Sequence, residues 1–367
     1  MNIKFKSSDD SFYRDLKKEV RSYFQKAELS MYASYSWYIK SLILITSYLL
    51  VYLGLLTYGK SIIVLFVCYG LLGFLTIVVG INIGHDAAHG SISRYNWINK
   101  MFLMIFDLLG ANSYIWKLRH VHSHHVFPNV AGKDMDIAQT KLVRIFPTDL
   151  LRSMHRYQHL YSPVLFVLVY TINWMFIRDF LDFTRNTFGE KIIKTHPTKE
   201  YIKLIFFKTY FIIAMVVLPH YILGLSLSIV LLGFMIFHLC AGITVSCALV
   251  SAHIGDTQEF PSPNDNGEMD HDWATHQTLV TADFCTSNSF ITFIFGGFNH
   301  HVFHHLFPKI SHIHYPNLTP LLIKVSKKHD KKYLVIQEFS MVLKSHLSML
   351  KKQGWSYWKD QMNDVIG

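Results

Sequence analysis

The strongest constraint on how this chain can fold is a set of apolar runs at about residues 41–56, 61–83, 206–223 and 225–250. Each approaches the ~20 residues that a helix needs to cross a bilayer, where a backbone must satisfy its own hydrogen bonds. Only 16% of the residues are Asp, Glu, Lys or Arg, against roughly 25% in soluble domains. The chain is therefore read as an integral membrane protein. The turn at residues 57–60 and the break around Pro219 and Gly224 are short enough to join antiparallel neighbours. The expected fold is all-α, with four transmembrane helices arranged as two hairpins. The polar sequence left over exceeds what loops would use, so a helical body must sit outside the lipid, which excludes a minimal channel or bundle.

Charge sets the orientation. Lys and Arg number 35 against 25 Asp and Glu. The outer turns hold only Lys60, while every long segment between and beyond the hairpins is basic. The positive-inside rule then places both termini and the central segment in the cytoplasm. The scattered excess suits a solvated face near anionic lipid and gives no reason to expect nucleic acid. Residues 1–40 show no secretory signal pattern. Cys68, Cys240, Cys247 and Cys285 fall in or beside apolar runs and read as packing residues.

Two stretches, 97–118 and 163–183, are apolar but interrupted by Lys100, Asp107, Asn112, Asn173, Arg178 and Asp179. They are expected as helices at the interface or packed on the cytoplasmic body. Residues 319–352 interleave apolar residues with lysines as amphipathic helices do. The chain is read as one domain, 1–367: a cytoplasmic N-terminal segment (1–37), a first hairpin (41–83), a cap (84–203), a second hairpin (206–250) and the rest of the cap (251–367). It contains no repeat and no glycine-rich phosphate loop.

Histidine is the anomaly, with 22 residues, many of them clustered. His85 and His89 follow the second run at i and i+4 and share a helix face. His120, His124 and His125 stand at i, i+4 and i+5; His301, His304 and His305 stand at i, i+3 and i+4. Neutral imidazole is a good ligand for first-row transition metals, and eight such ligands exceed one ion. All three clusters lie at the cytoplasmic ends of the runs, so they can converge, and His253 closes the fourth run at the same depth as a ninth candidate. His122 and His300 are out of phase with their neighbours and are expected as bystanders or supports, as is Asn299. Asp86, Asp134 and Asp136 are candidates for orienting histidines or bonding a substrate headgroup; His271 and His276 suit a support or lid. His155, His159, His196, His220, His238, His312, His314, His329 and His346 are left as structural.

At these residues the sequence resembles the membrane fatty-acid desaturases, which carry HxxxH, HxxxHH or HxxHH, and [HQ]xxHH boxes in this order. The segments Gly296 to Pro308, Ser311 to Leu318, His155 to His159, Trp273 to Gln277 and Ser345 to Leu347 extend the likeness over about residues 35–355. The branch resembled is that of linoleoyl-CoA-type and front-end enzymes, particularly bacterial ones. The resemblance implies a non-haem di-iron centre held by the box histidines and His253. It further implies O2 as co-substrate, a long-chain acyl-CoA or acyl-lipid as substrate, and no catalytic residue beyond the metal ligands. Electrons would come from a separate cytochrome b5 or ferredoxin with its reductase, since no His-Pro-Gly-Gly segment is present. The protein would sit in a bacterial inner membrane or the endoplasmic reticulum. Front-end members usually carry Gln where this chain has His301, and Leu249 replaces an Asn that holds a metal-bound water in stearoyl-CoA-type relatives. The rival readings are a di-iron hydroxylase, ketolase or acetylenase on the same scaffold and, from another class, a His-rich metal transporter or haem-binding membrane subunit.

Overall fold

The structure, a computed structural model, describes residues 3–7, 11–137 and 140–366. Helix Tyr35–Tyr58 turns at Gly59 into helix Ile62–Val79, which continues through a π-helical turn, Gly80–Gly84, into His85–His89. This unbroken rod of 28 residues is ~42 Å long at 1.5 Å per residue, more than the ~30 Å of the hydrocarbon core. The first histidine pair sits at the far end of this rod. Gly90, at φ 72°, ends the rod in a left-handed cap. Helix Leu227–His253 has 27 residues and carries His253 at its own end.

The second rod packs at glycines against both the first rod and helix Gln158–Ile172. A Cβ on Gly73 would strike the backbone of Phe237, and one on Gly242 would strike the carbonyl of Val167. Small residues allow membrane helices such close approach without a hydrophobic drive between them. Around the seam, Leu65, Tyr69, Leu72, Phe211, Met215 and Phe237 form a continuous core. Helix Thr198–Ile212 breaks into a π-helical turn, Ile213–Val217, before resuming as Leu218–Leu223. Tyr52 and Tyr69 donate to the carbonyls of Ala214 and Met215 at 2.7 and 2.6 Å, satisfying backbone groups that lipid could not.

Among the described residues five helical segments, not four, are long and apolar enough to cross a membrane by length and composition. The addition to the expected set is Ser153–Asp182, which overlaps the stretch read as interfacial. Its apolar content is outward-facing at Leu160, Val164, Leu168 and Ile177, a pattern that interrupting Asn173, Arg178 and Asp179 obscure in the sequence. The charged groups at its end are buried but paired: Asp179 with Lys208 at 2.7 Å, Asp182 with Arg119 at 2.8 Å. Helix Asn96–Leu108 is amphipathic, with Trp97, Met101 and Met104 exposed.

The remaining helices form a cap over the histidine end. Helix Ser11–Lys26 lays Phe12, Leu16 and Val20 on Val302, Phe303, Leu318 and Leu322. The tail forms helices Tyr315–Lys328 and Phe339–Ile366. Two parallel two-stranded pieces tie distant segments together, Lys4–Phe5 with Glu268–Met269 and Asp283–Phe284 with Val335–Ile336, and a third is the local antiparallel hairpin Thr187–Phe188 with Lys191–Ile192. The fold is thus helical with small strand clips that no alternating apolar pattern announces.

Candidate metal centre

The second histidine box begins in helix Ser113–Arg119, whose first turn is capped by the Asn112 side chain accepting from Ile115 N–H at 2.9 Å. The helix then widens into a π-helical turn, His120–His124, closed by His125 N–H donating to the His120 carbonyl at 3.0 Å. One extra residue in the turn changes which histidines share a side, and such turns recur at functional sites. The third box, helix His301–Leu306, has no side-chain cap of its own; Asp283 accepts from Val302 N–H at 2.7 Å in that place. Burial pushes the Asp283 carboxyl up to about 7, even with the Tyr333 hydroxyl and Val302 N–H bonded to it.

Nine histidines meet in two groups: His85, His89, His120, His125 and His304 in the first, His124, His253, His301 and His305 in the second. None is more than 8% exposed. The boxes are divided between the groups. His120 and His125 face the first while His124 faces the second; His304 faces the first while His301 and His305 face the second. The α-helical expectation paired His120 with His124 on one face, and the π-helical turn is the physical reason they part.

Within the first group Nε2 of His120 lies 3.2 Å from that of His85 and 3.1 Å from that of His125, which is 3.1 Å from His304. Within the second, His253 lies 3.1 Å from His124 and 2.8 Å from His301, and His301 is 3.2 Å from His305. Nitrogens bound ~2.1 Å from one ion at right angles would stand ~3.0 Å apart. His89 Nε2 is buried in this crowd with no hydrogen-bond partner. So many imidazole nitrogens cannot satisfy one another with protons, and a bound cation would resolve the conflict. Burial first, then the neighbouring groups, holds His120, His125, His253, His301, His304 and His305 far below the ordinary imidazole range. Neutral imidazole is the ligating form.

The far nitrogens are fixed from behind. His120 Nδ1–H donates to Asp136 at 2.6 Å and His124 Nδ1–H to Asp134 at 2.9 Å. Burial alone would lower His124, but Asp134 and Asp136 carry it upward. His304 Nδ1 lies 3.0 Å from the Tyr315 hydroxyl, and His305 Nδ1–H donates to Gln277 Oε1 at 2.9 Å. Such partners set the tautomer, so that Nε2 offers its lone pair inward. Tyr315 and Gln277 fall in segments that carry the likeness but were assigned no role in the sequence. Gln277 is 28 residues from His305, and no local spacing betrays the contact.

Other expected supports bond elsewhere. Asp86 accepts from His312 Nδ1–H at 2.9 Å and from Ser311, His276 Nε2–H donates to the Pro128 carbonyl, and His300 Nδ1 meets Thr319. Asn299 donates to the Cys285 carbonyl and Thr292, and His122 Nε2 lies 3.0 Å from Lys191 Nζ. His271 lends its carbonyl to Lys6 N–H. A cavity of about 120 Å³ runs from His85, His120, His124 and His301 between the membrane helices, with Phe106, Trp116, Trp174 and Leu249 on its walls. Leu249 keeps that wall apolar where a polar residue was the alternative.

The fatty acid desaturase family model matches residues 60–337. A sn-1 linoleoyl-lipid 6-desaturase of Arthrospira platensis is 31% identical over 344 residues, spanning 93% of this chain and 92% of the relative. One from Synechocystis sp. is 30% identical over 360 residues, spanning 96% and 98%. An acyl-lipid (8-3)-desaturase of Physcomitrium patens is 30% identical over 353 residues, spanning 95% and 72%. With a histidine-lined centre at the end of apolar helices and a family match across three of its boxes, this chain belongs to the fatty acid desaturases.

Proposed function

We propose that this desaturase holds two iron ions, one in each histidine group, and inserts a double bond into a long-chain acyl group esterified to a lipid. The observation that carries the reading is the division of nine buried histidines into two groups that share boxes. The substrate class follows the acyl-lipid names of its relatives. In balance, one CH2–CH2 unit, O2, two electrons and two protons give CH=CH and two waters. When bound, the iron pair supplies the oxidising power to take hydrogen from an unactivated methylene.

The protein's own residues do the rest. Asp134, Asp136, Gln277 and Tyr315 hold the imidazole rings. Trp116 stacks on His120 with ring centroids 4.3 Å apart, and with Phe106 and Phe298 it lines the cavity and keeps water from it. The mostly apolar walls orient a hydrocarbon, with Arg119 and Asp136 among the few charged groups on the lining.

Four spans, with both termini and the centre in the cytoplasm, remain the topology of choice. Both ends of Ser153–Asp182 are tied to the histidine side: Gln158 donates to the Leu350 carbonyl at 2.7 Å, and Asp182 pairs with Arg119, the residue before His120. That supports a helix that returns to the side it left. The test is expression in a host supplied with acyl-lipids and a reductant, with metal analysis and lipid mass spectrometry. A product lighter by two hydrogens and about two irons per chain are expected. A product heavier by one oxygen would assign the chain to hydroxylation instead.

A further inference from the structure

Resting on the desaturase reading, the reaction needs two electrons that neither the acyl chain's new double bond nor O2 provides. We propose that the face of the second histidine box bearing Lys100, Lys117, His122 and Lys191 is the docking surface for an acidic one-electron carrier protein. His122 stands two residues from His120 of the first group and two from His124 of the second. It is only partly buried, while the nine converging histidines are closed off. This is where the covalent path from surface to both groups is short.

The surface is built around that histidine. The hairpin Thr187–Ile192 sits directly on the box: Gly189, at φ 61°, lies where any Cβ would strike the His122 carbonyl. Seated there, the hairpin brings Lys191 Nζ to 3.0 Å from His122 Nε2. The hairpin's acid, Glu190, is occupied by Lys133 and by Ile3 N–H. Among the described residues, Lys100, Lys117 and Lys191 form no ion pair with a carboxylate. Partial burial, then Lys191 and Lys100, hold the Lys117 ammonium below its ordinary range. Unneutralised like charges held this close are an unusual surface unless a partner of opposite sign covers them, and such complementarity steers association. None of the four residues lines the cavity, so the acyl chain and the carrier approach the centre by different routes.

The test uses the full chain in detergent and two acidic probes, the soluble haem domain of cytochrome b5 and a plant-type ferredoxin. The wild type is expected to bind at least one. The Lys100→Glu/Lys191→Glu double variant should bind it about 10-fold more weakly, and added salt should weaken the wild type similarly. Lys344→Glu, on the tail helix, should leave binding unchanged. Equal binding by the double variant, or no binding of either probe by the wild type, would overturn the docking surface. Turnover of dithionite-reduced enzyme with an acyl-lipid separates the two claims. If the wild type forms no double bond under these conditions, the desaturase reading fails whatever the binding shows. Carrier-driven turnover lost while dithionite-driven turnover persists supports docking. A raised KM for acyl-lipid with unchanged carrier binding assigns the lysines to a lipid headgroup and overturns it.

Discussion

The first histidine group draws five imidazoles from all three boxes; the second draws four and replaces the first box with His253, from the end of a membrane helix. At their backs the two are alike. Each has one histidine braced by a carboxylate, Asp136 or Asp134, and one braced by a neutral group, Tyr315 or Gln277. The difference lies in redundancy. Losing one ligand leaves the first group with four, as many as the second ever has, and leaves the second with three.

The largest expected effect tests that asymmetry. His253→Ala should cut bound metal from about two ions to about one per chain and reduce product by roughly 100-fold or more, a loss at or beyond the upper end for damage to metal sites. His89→Ala should retain more metal than His253→Ala, by elemental analysis of purified protein. Equal losses would break the comparison. Next come the carboxylates. Asp136→Ala and Asp134→Ala should each weaken metal retention ~10–100-fold, with Asp134→Ala the worse. Asp134 also accepts from the N–H groups of Asn129, Asp136 and Ile137, so it shapes the segment that carries its partner. Chelator competition would rank them.

Smaller effects sharpen the likeness of the backs. Tyr315→Phe and Gln277→Leu each remove one neutral hydrogen bond worth about 1 kcal/mol, so metal retention should fall only several-fold, and about equally. Acid should then distinguish the groups. Burial holds His276 and His346 down to about 4, against ~6.5 for free imidazole. The unfolded chain therefore binds more protons between those values, and stability falls as pH drops through the window from 6.5 towards 4. His276 precedes Gln277, and His346 Nδ1–H donates to the carbonyl of Ile254, next to His253. The second group should therefore release its metal first in a pH titration, and release from the first group beforehand would contradict this.

Much of this was legible in the residues. The apolar runs indicated the long helices, and the clustered histidines indicated that all three boxes converge. The division of the boxes was not, because spacing was read on a 3.6-residue turn while His120–His124 is π-helical. The full length of helix Ser153–Asp182 was not legible because its buried Arg178, Asp179 and Asp182 looked like exposed charges, whereas each has a partner far away in sequence or on its own end. Tyr315 and Gln277 reach their histidines only through tertiary packing, which no local pattern carries.

The glycine seams have a consequence for what can be processed. Gly73 lies one turn before Thr76 and Ile77, and Gly242 one turn before Val245 and Ser246; all four of these later residues line the cavity. Backbone meets backbone at both points, Gly73 against Phe237 of the second rod and Gly242 against Val167 of the neighbouring helix Ser153–Asp182, which leaves no room there for a side chain. Two such backbone seams therefore flank the cavity wall. If the acyl tail enters this cavity, a slender, unbranched chain is expected to stop at the seams, which would then set how much chain lies beyond the carbon being oxidised. Bulky or branched tails would be turned away by architecture before any chemistry could reject them.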